Sequence, residues 1–174
     1  MKLTVIGAGA MGGTTVEGFI KSQAFKAEDI TVADPSKEVT ARFAEMGVVT
    51  TTDNRQAAAG ADIVCVVVKP WLVEQVLKGI ADVLDPQRQL LIVIAAGIAS
   101  SKVQEWLGAH CPPLFMVIPN IAIAQLASMT FIVPVLALAL PLFDTLFAII
   151  RRLIHGQNPM TPDRGHLHHR LIDH

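Results

Sequence analysis

The chain has 174 residues, of which 52% are hydrophobic and 17% charged, and its formal net charge is -1; the mean hydropathy is +0.49. That composition excludes intrinsic disorder, and a near-neutral charge speaks against a nucleic-acid partner. Two cysteines, Cys65 and Cys111, exclude a disulfide framework and fit a reducing compartment, while the high hydropathy directs attention to a membrane segment.

Leu3-Thr4-Val5-Ile6 is a short apolar run that ends at a glycine turn, the pattern of a buried strand. Ala10 to Ser22 follows as a helix. Asp29 to Ala33 is a second strand, and Ser36, an N-cap residue, opens a second helix through Met46. Val48 to Thr50 is a short third strand, and Asp53 caps a brief helix through Ala59. Asp62 to Val68 is β-branched and apolar on both faces, as suits a central parallel strand. Pro70 opens a helix through Leu84 from its first turn. Leu90 to Ala95 is a strand, Ser100 to Leu107 a helix, and Leu114 to Ile118 a further strand. Strands alternating with helices specify a doubly wound parallel sheet, a Rossmann-like α/β domain over residues 1–130.

The composition changes abruptly near Thr130. Residues 1–130 hold 10 basic and 12 acidic side chains, against 4 and 3 in residues 131–174. Residues 131–150 contain one charge, Asp144, and read as a hydrophobic helix about 20 residues long, enough to span a bilayer. Residues 151–174 form a short basic tail with five of the six histidines. His166, His168 and His169 are spaced so that two could share a metal, but a solvated basic tail is favoured and no metal site is assigned.

Gly7-Ala8-Gly9-Ala10-Met11-Gly12 has the spacing GxGxxG directly after a strand and at the start of a helix. The first glycine permits the tight turn. The second lets a pyrophosphate approach the backbone, and the third lets helix and strand pack closely. Unpaired N–H groups at the helix N-terminus then attract an anion. Asp34 ends the second strand 22 positions after Gly12, where a carboxylate accepts from a ribose 2′-hydroxyl and favours NAD(H); Ser36 and Lys37 just beyond could hold a 2′-phosphate, so NAD and NADP both stay open. Val68-Lys69-Pro70, Ala96-Gly97 and Pro119-Asn120 end later strands, where ligands bind in open α/β sheets. Small residues there leave room for a nicotinamide ring, and Asn120 could bond its carboxamide or a substrate carboxylate. A turn-chemistry role is open at each of these positions.

In these motifs residues 1–132 resemble the N-terminal cofactor domain of pyrroline-5-carboxylate reductases. The resemblance is carried by MKLTVIGAGAMGG, EGFIKS, ITVADPS, VVVKPW, IVIAAGI, and IPN followed by SMTFI, in order. It implies a reductase that passes hydride from NAD(P)H to the C=N bond of a cyclic imine acid. It also implies that Gly7 to Gly12 hold the pyrophosphate, that Asp34, Pro35 and Ser36 hold the adenosine ribose, and that Lys69, Pro70, Ala96, Gly97, Pro119 and Asn120 line the nicotinamide side. Met116 stands where the family usually has arginine, and Ile121-Ala122 where it often has Thr-Pro or Thr-Ala. The family continues with a helical domain of about a hundred residues, a domain-sized length, which forms the dimer and much of the substrate site. Nothing like it follows Ile132, so the reading is of a chain truncated before that domain, with no catalytic residue assigned and the oligomeric state open.

Residues 133–173 resemble instead a C-terminal piece of the polyprenyl-phosphate N-acetylhexosamine-1-phosphate transferases, through Pro141-Leu-Phe-Asp144-Thr145, Arg151-Arg152 and Pro162-Asp163-Arg164-Gly165-His166-Leu-His168-His169-Arg170. The nucleotide domain, without an export signal, is expected in the cytoplasm. A span over 131–150 would then place Arg151 and Arg152 outside, against the positive-inside rule. Either the segment does not span, or the rule is broken, or the two parts are not one selected unit. The leading functional reading is a reductase of the pyrroline-5-carboxylate reductase type. The alternatives are a cofactor-binding module without catalysis and a membrane-associated transferase fragment fused to such a module.

Overall fold

The structure, a computed structural model, describes residues 1–118 and 131–133. Its strands are β1 (Leu3–Ile6), β2 (Ile30–Ala33), β3 (Val49–Thr51), β4 (Ile63–Val66), β5 (Leu90–Val93), β6 (Leu114–Ile118) and β7 (Phe131–Val133). Its helices are α1 (Ala10–Lys21), α2 (Lys37–Glu45), α3 (Asn54–Ala59), α4 (Pro70–Ile80) and α5 (Ser100–Leu107). The strand order is β3-β2-β1-β4-β5-β6-β7, and every pairing from β3 through β6 is parallel. The strand order, which runs outward from β1 to β3 and then resumes on the other side of β1 with β4, makes the β1–β4 junction a topological switch point, where doubly wound sheets open a crevice at the carboxyl ends of their strands. The chain divides into two compact units, Met1–Ile132 and Val133–His174.

Side-chain alternation along the strands builds one core on each face of the sheet. Leu3 and Val5 of β1, Ile30 and Val32 of β2, and Cys65 of β4 pack with Val16 of α1 and Phe43 of α2. Ile6, Val64, Val66, Leu91 and Val93 pack on the other face with Ala57 and Ala58 of α3, Val73, Leu77 and Ile80 of α4, and Val103 and Leu107 of α5. Fully burying a residue of this size contributes about 1.5–3 kcal/mol. The few polar groups inside are satisfied. Thr4 Oγ1 donates to the Ala57 carbonyl at 2.8 Å, which ties β1 to α3. Gln89 is 3% exposed, and its Nε2 donates to the carbonyls of Ala58 and Ala61 at 2.7 and 2.8 Å. Those carbonyls end α3 and begin the turn into β4, so one buried amide closes that corner.

Local signals explain most element ends. Ser36 Oγ accepts from Val39 N–H at 3.4 Å and starts α2, while Asp53 Oδ1 accepts from Arg55 and Gln56 N–H at 2.8 and 3.2 Å and starts α3. Pro70 opens α4. Some elements are shorter than the sequence suggests. Asp29 ends a 3-10 turn, Ala27–Asp29, rather than starting β2, and Ala81–Val83 is a 3-10 turn rather than the end of α4. β4 stops at Val66, two residues before Val68, because the chain turns there over the glycine loop.

Part of one expectation is corrected. The first three residues of the segment read as a hydrophobic helix, Phe131–Val133, are strand β7, as their aromatic and β-branched side chains allow. The rest of that segment, and the basic tail, lie outside the described residues. Among the described residues no helix is long and apolar enough to cross a membrane.

Candidate functional site: a cleft at the switch point

The turn after β1 sets the floor of the site. Gly7 has φ +90°, and a Cβ there would run into the Val67 carbonyl and the Val68 side chain. A Cβ on Gly12 would overlap the Gly7 carbonyl oxygen, so only glycine lets the first turn of α1 sit on the loop. Gly9 is different: nothing in the protein lies within 4 Å of the position its Cβ would take. It is the N-cap of α1, without a capping side chain. The first helical bond runs from Gly13 N–H to the Gly9 carbonyl at 2.8 Å, and the N–H groups before it have no partner within the helix. Open space over a glycine and a helix N-terminus suits an anionic group close to the backbone.

Asp34, just beyond β2, fixes this loop from the side. Its Oδ2 accepts from Ala8 N–H at 2.8 Å, and its Oδ1 accepts from Ser36 N–H at 2.9 Å. Its own N–H donates to the Thr51 carbonyl at 3.2 Å, which sets the ends of β2 and β3 side by side. The carboxylate thus ties the glycine loop to the start of α2.

Around these groups opens a cleft of about 980 Å³, within the usual range for small-molecule sites. Of the residues expected at a cofactor site, Gly7, Gly9, Ala10, Met11, Gly12, Asp34, Pro35, Val68, Lys69, Pro70 and Ala96 line it. Three do not. Ala8 is buried beneath the loop and contributes its N–H to Asp34. Ser36 is turned to its capping role. Gly97, at φ +77°, follows Ala96 outside the lining. Pro119 and Asn120 lie outside the described residues.

Sequence reasoning missed a second wall. Thr52, Asp53, Asn54 and Arg55 line the cleft at the end of β3, together with Leu72, Gln75, Val76, Gly79 and Ile80 of α4. The spacing of the α4 residues is that of one helical face and was available as a signal; the β3 residues are adjacent only through the strand order. Arg55 closes that wall: its guanidinium donates to both oxygens of Asp82 at 2.5 and 2.7 Å and to the Gly79 carbonyl at 3.0 Å. The hydrogen bonds from Arg55 hold the Asp82 carboxyl below its usual range, and Asp82 in turn raises Arg55. At the β4–β5 end of the cleft, Lys69 is the single titratable side chain among the described lining residues.

A parallel sheet of this order with a glycine loop at its switch point defines a Rossmann-type dinucleotide-binding fold. The profile of the family described as NADP oxidoreductase, coenzyme F420-dependent, matches residues 2–97, and the chain belongs to that family. Over 112 residues it is 35% identical to the pyrroline-5-carboxylate reductase of Pseudomonas aeruginosa, covering 64% of this chain and 40% of that one. Solved structures agree. The pyrroline-5-carboxylate reductase of Coxiella burnetii superposes with a TM-score of 0.70 at 32% identity, over 75% of this chain and 48% of that one. A Plasmodium falciparum pyrroline carboxylate reductase with NADP bound superposes with a TM-score of 0.67 at 26% identity, over 76% and 47%. The chain therefore spans about two-fifths of the length of the curated reductase it matches. A separate 43-residue match, 46% identical, is to a probable undecaprenyl-phosphate N-acetylglucosaminyl 1-phosphate transferase of Bacillus subtilis, covering 25% of this chain and 12% of that one.

Proposed function

We propose that this chain carries the cofactor-binding part of an NAD(P)H-dependent reductase of the pyrroline-5-carboxylate reductase type, acting on the C=N bond of a cyclic imine acid. The observation that carries the reading is the open cradle at Gly9, facing the cleft between a tight glycine turn and a helix N-terminus. The identity to reductases of that name supports the substrate class.

The residues present fit a dinucleotide. Gly9 and the first turn of α1 would hold the pyrophosphate, and Asp34 and Pro35 would face the adenosine ribose, with Ser36 setting the adjoining helix. Val68, Lys69, Pro70, Ala96 and Gly97 would border the nicotinamide, with Pro119 and Asn120 assigned there by resemblance. The bound cofactor would supply the hydride. The chain's own part would be to fix the ring at the strand ends, where the small side chains of Ala95 and Ala96 line the cleft.

A second reading, dinucleotide binding without imine reduction, is favoured by one feature. Lys69 alone among the described residues could move a proton at the β4–β5 end, and it is exposed. Mixing the purified chain with NADH or NADPH and pyrroline-5-carboxylate, and following loss of reduced-nicotinamide absorbance, tests both. Oxidation that needs both components supports the reductase. Binding without oxidation selects the second reading, and absence of binding contradicts both.

A further inference from the structure

We infer that Lys69 holds the carboxylate of the cyclic imine acid and so decides which end of the substrate meets the cofactor's ring. This role presupposes the reductase reading above. Among the described residues that line the cleft, four are charged: Asp34, Asp53, Arg55 and Lys69. Three of them are engaged within the protein. Asp34 accepts from the N–H groups of Ala8 and Ser36, Asp53 accepts from those of Arg55 and Gln56, and the Arg55 guanidinium is forked onto Asp82. Lys69 makes no hydrogen bond or ion pair with any described residue. It is exposed, and as the N-cap of α4 it makes no capping bond through its side chain.

The sheet register sets what this cation faces. Ile6, Val66 and Val93 form one row across β1, β4 and β5. Gly9, Lys69 and Ala96 each follow their member of that row by three positions, so Lys69 leaves the sheet between the glycine loop and the small residues after β5. Neighbouring strands lie about 4.8 Å apart, a step that the flexible four-carbon stem of lysine covers. Two anions compete for the ammonium there, the cofactor's pyrophosphate and the substrate's carboxylate. The pyrophosphate has donors of its own in the first turn of α1. The carboxylate has no other unengaged cation among the described lining residues, and Asp34 and Asp53 repel it from the β2–β3 end. Charge also fixes the direction of the ring. An imine takes up hydride best when its nitrogen is protonated, and an ammonium beside that nitrogen would oppose the positive charge. A ring held by its carboxylate keeps the iminium off Lys69.

The test uses complexes that cannot turn over. Reduction of pyrroline-5-carboxylate gives proline, so the full chain is first titrated with NADH by fluorescence. The saturated complex is then titrated by calorimetry with proline or with prolinamide, which lacks the carboxylate charge. Proline is expected to bind more tightly on the order of tenfold. Lys69→Met is expected to remove that preference while changing the affinity for NADH far less, and Lys69→Arg to restore it. A loss of NADH affinity in Lys69→Met as large as the loss of proline affinity assigns the cation to the pyrophosphate and overturns the proposal. A proline preference that survives in Lys69→Met overturns it too, as does NADH binding with no response to proline. Failure to bind NADH contradicts the dinucleotide reading itself, and the proposal falls with it.

Discussion

Three glycines within the six residues from Gly7 to Gly12 do three different things. Gly12 is required by packing, since a Cβ there would overlap the Gly7 carbonyl. Gly12→Ala is expected to destabilise the fold by about 1–3 kcal/mol, the usual cost of overpacking, read as a lower urea midpoint. The spacing of these residues was legible in the sequence because the turn, the anion and the helix packing each demand glycine at a fixed offset. The clamp made by Asp34 was not, because the Ala8 N–H it accepts lies 26 positions away and the pairing exists only once β1 and β2 are neighbours. Cys65 is a second case where burial decides chemistry. Desolvation in the core pushes its thiol up to about 12 from a reference of 9.0. The folded-state value lies above the unfolded one, so this stabilisation is full below about pH 9 and is lost as pH rises toward 12. Urea midpoints should fall across that window in the native chain and fall less in Cys65→Ala, after allowance for the lower starting stability of that variant.

At the scale of elements, β6 and α5 coincide with the sequence reading, because apolar runs and periodicity are local signals. Boundaries moved where tertiary contacts end an element, as at Val66 beside the glycine loop. The wall formed by Thr52 to Arg55 was hidden for a related reason: Asp53 reads correctly as a cap, but its place in the cleft that Asp34 also lines depends on β3 lying outside β2. Gln89 shows how an element junction is held by one residue. Gln89→Leu would leave the carbonyls of Ala58 and Ala61 buried without their donor. A loss of about 1–3 kcal/mol is expected for an unsatisfied buried polar group, with faster amide exchange concentrated at the α3–β4 corner.

At the scale of the whole molecule, the strand order places every described cofactor candidate at one end of one sheet. Acid sensitivity also belongs here. The Lys2 backbone N–H holds Asp62 below its usual range, and side-chain bonds from Arg55 and Lys102 do the same for Asp82 and Glu105. These folded-state values lie below the unfolded ones, so their contribution is present above about pH 4–5 and is lost as pH falls further. Circular dichroism melts should be flat from about pH 5 to 8 and decline on the acid side.

A dinucleotide bound as proposed would occupy the open space at Gly9. The decisive experiment is a fluorescence titration of NADH into the wild-type chain and into Gly9→Ala, with their unfolding midpoints measured alongside. Saturable binding by the wild type is expected, weakened on the order of tenfold or more in the variant, with stability lowered by no more than about 2 kcal/mol, the range for an N-cap changed to alanine. Equal affinity in both chains would contradict it.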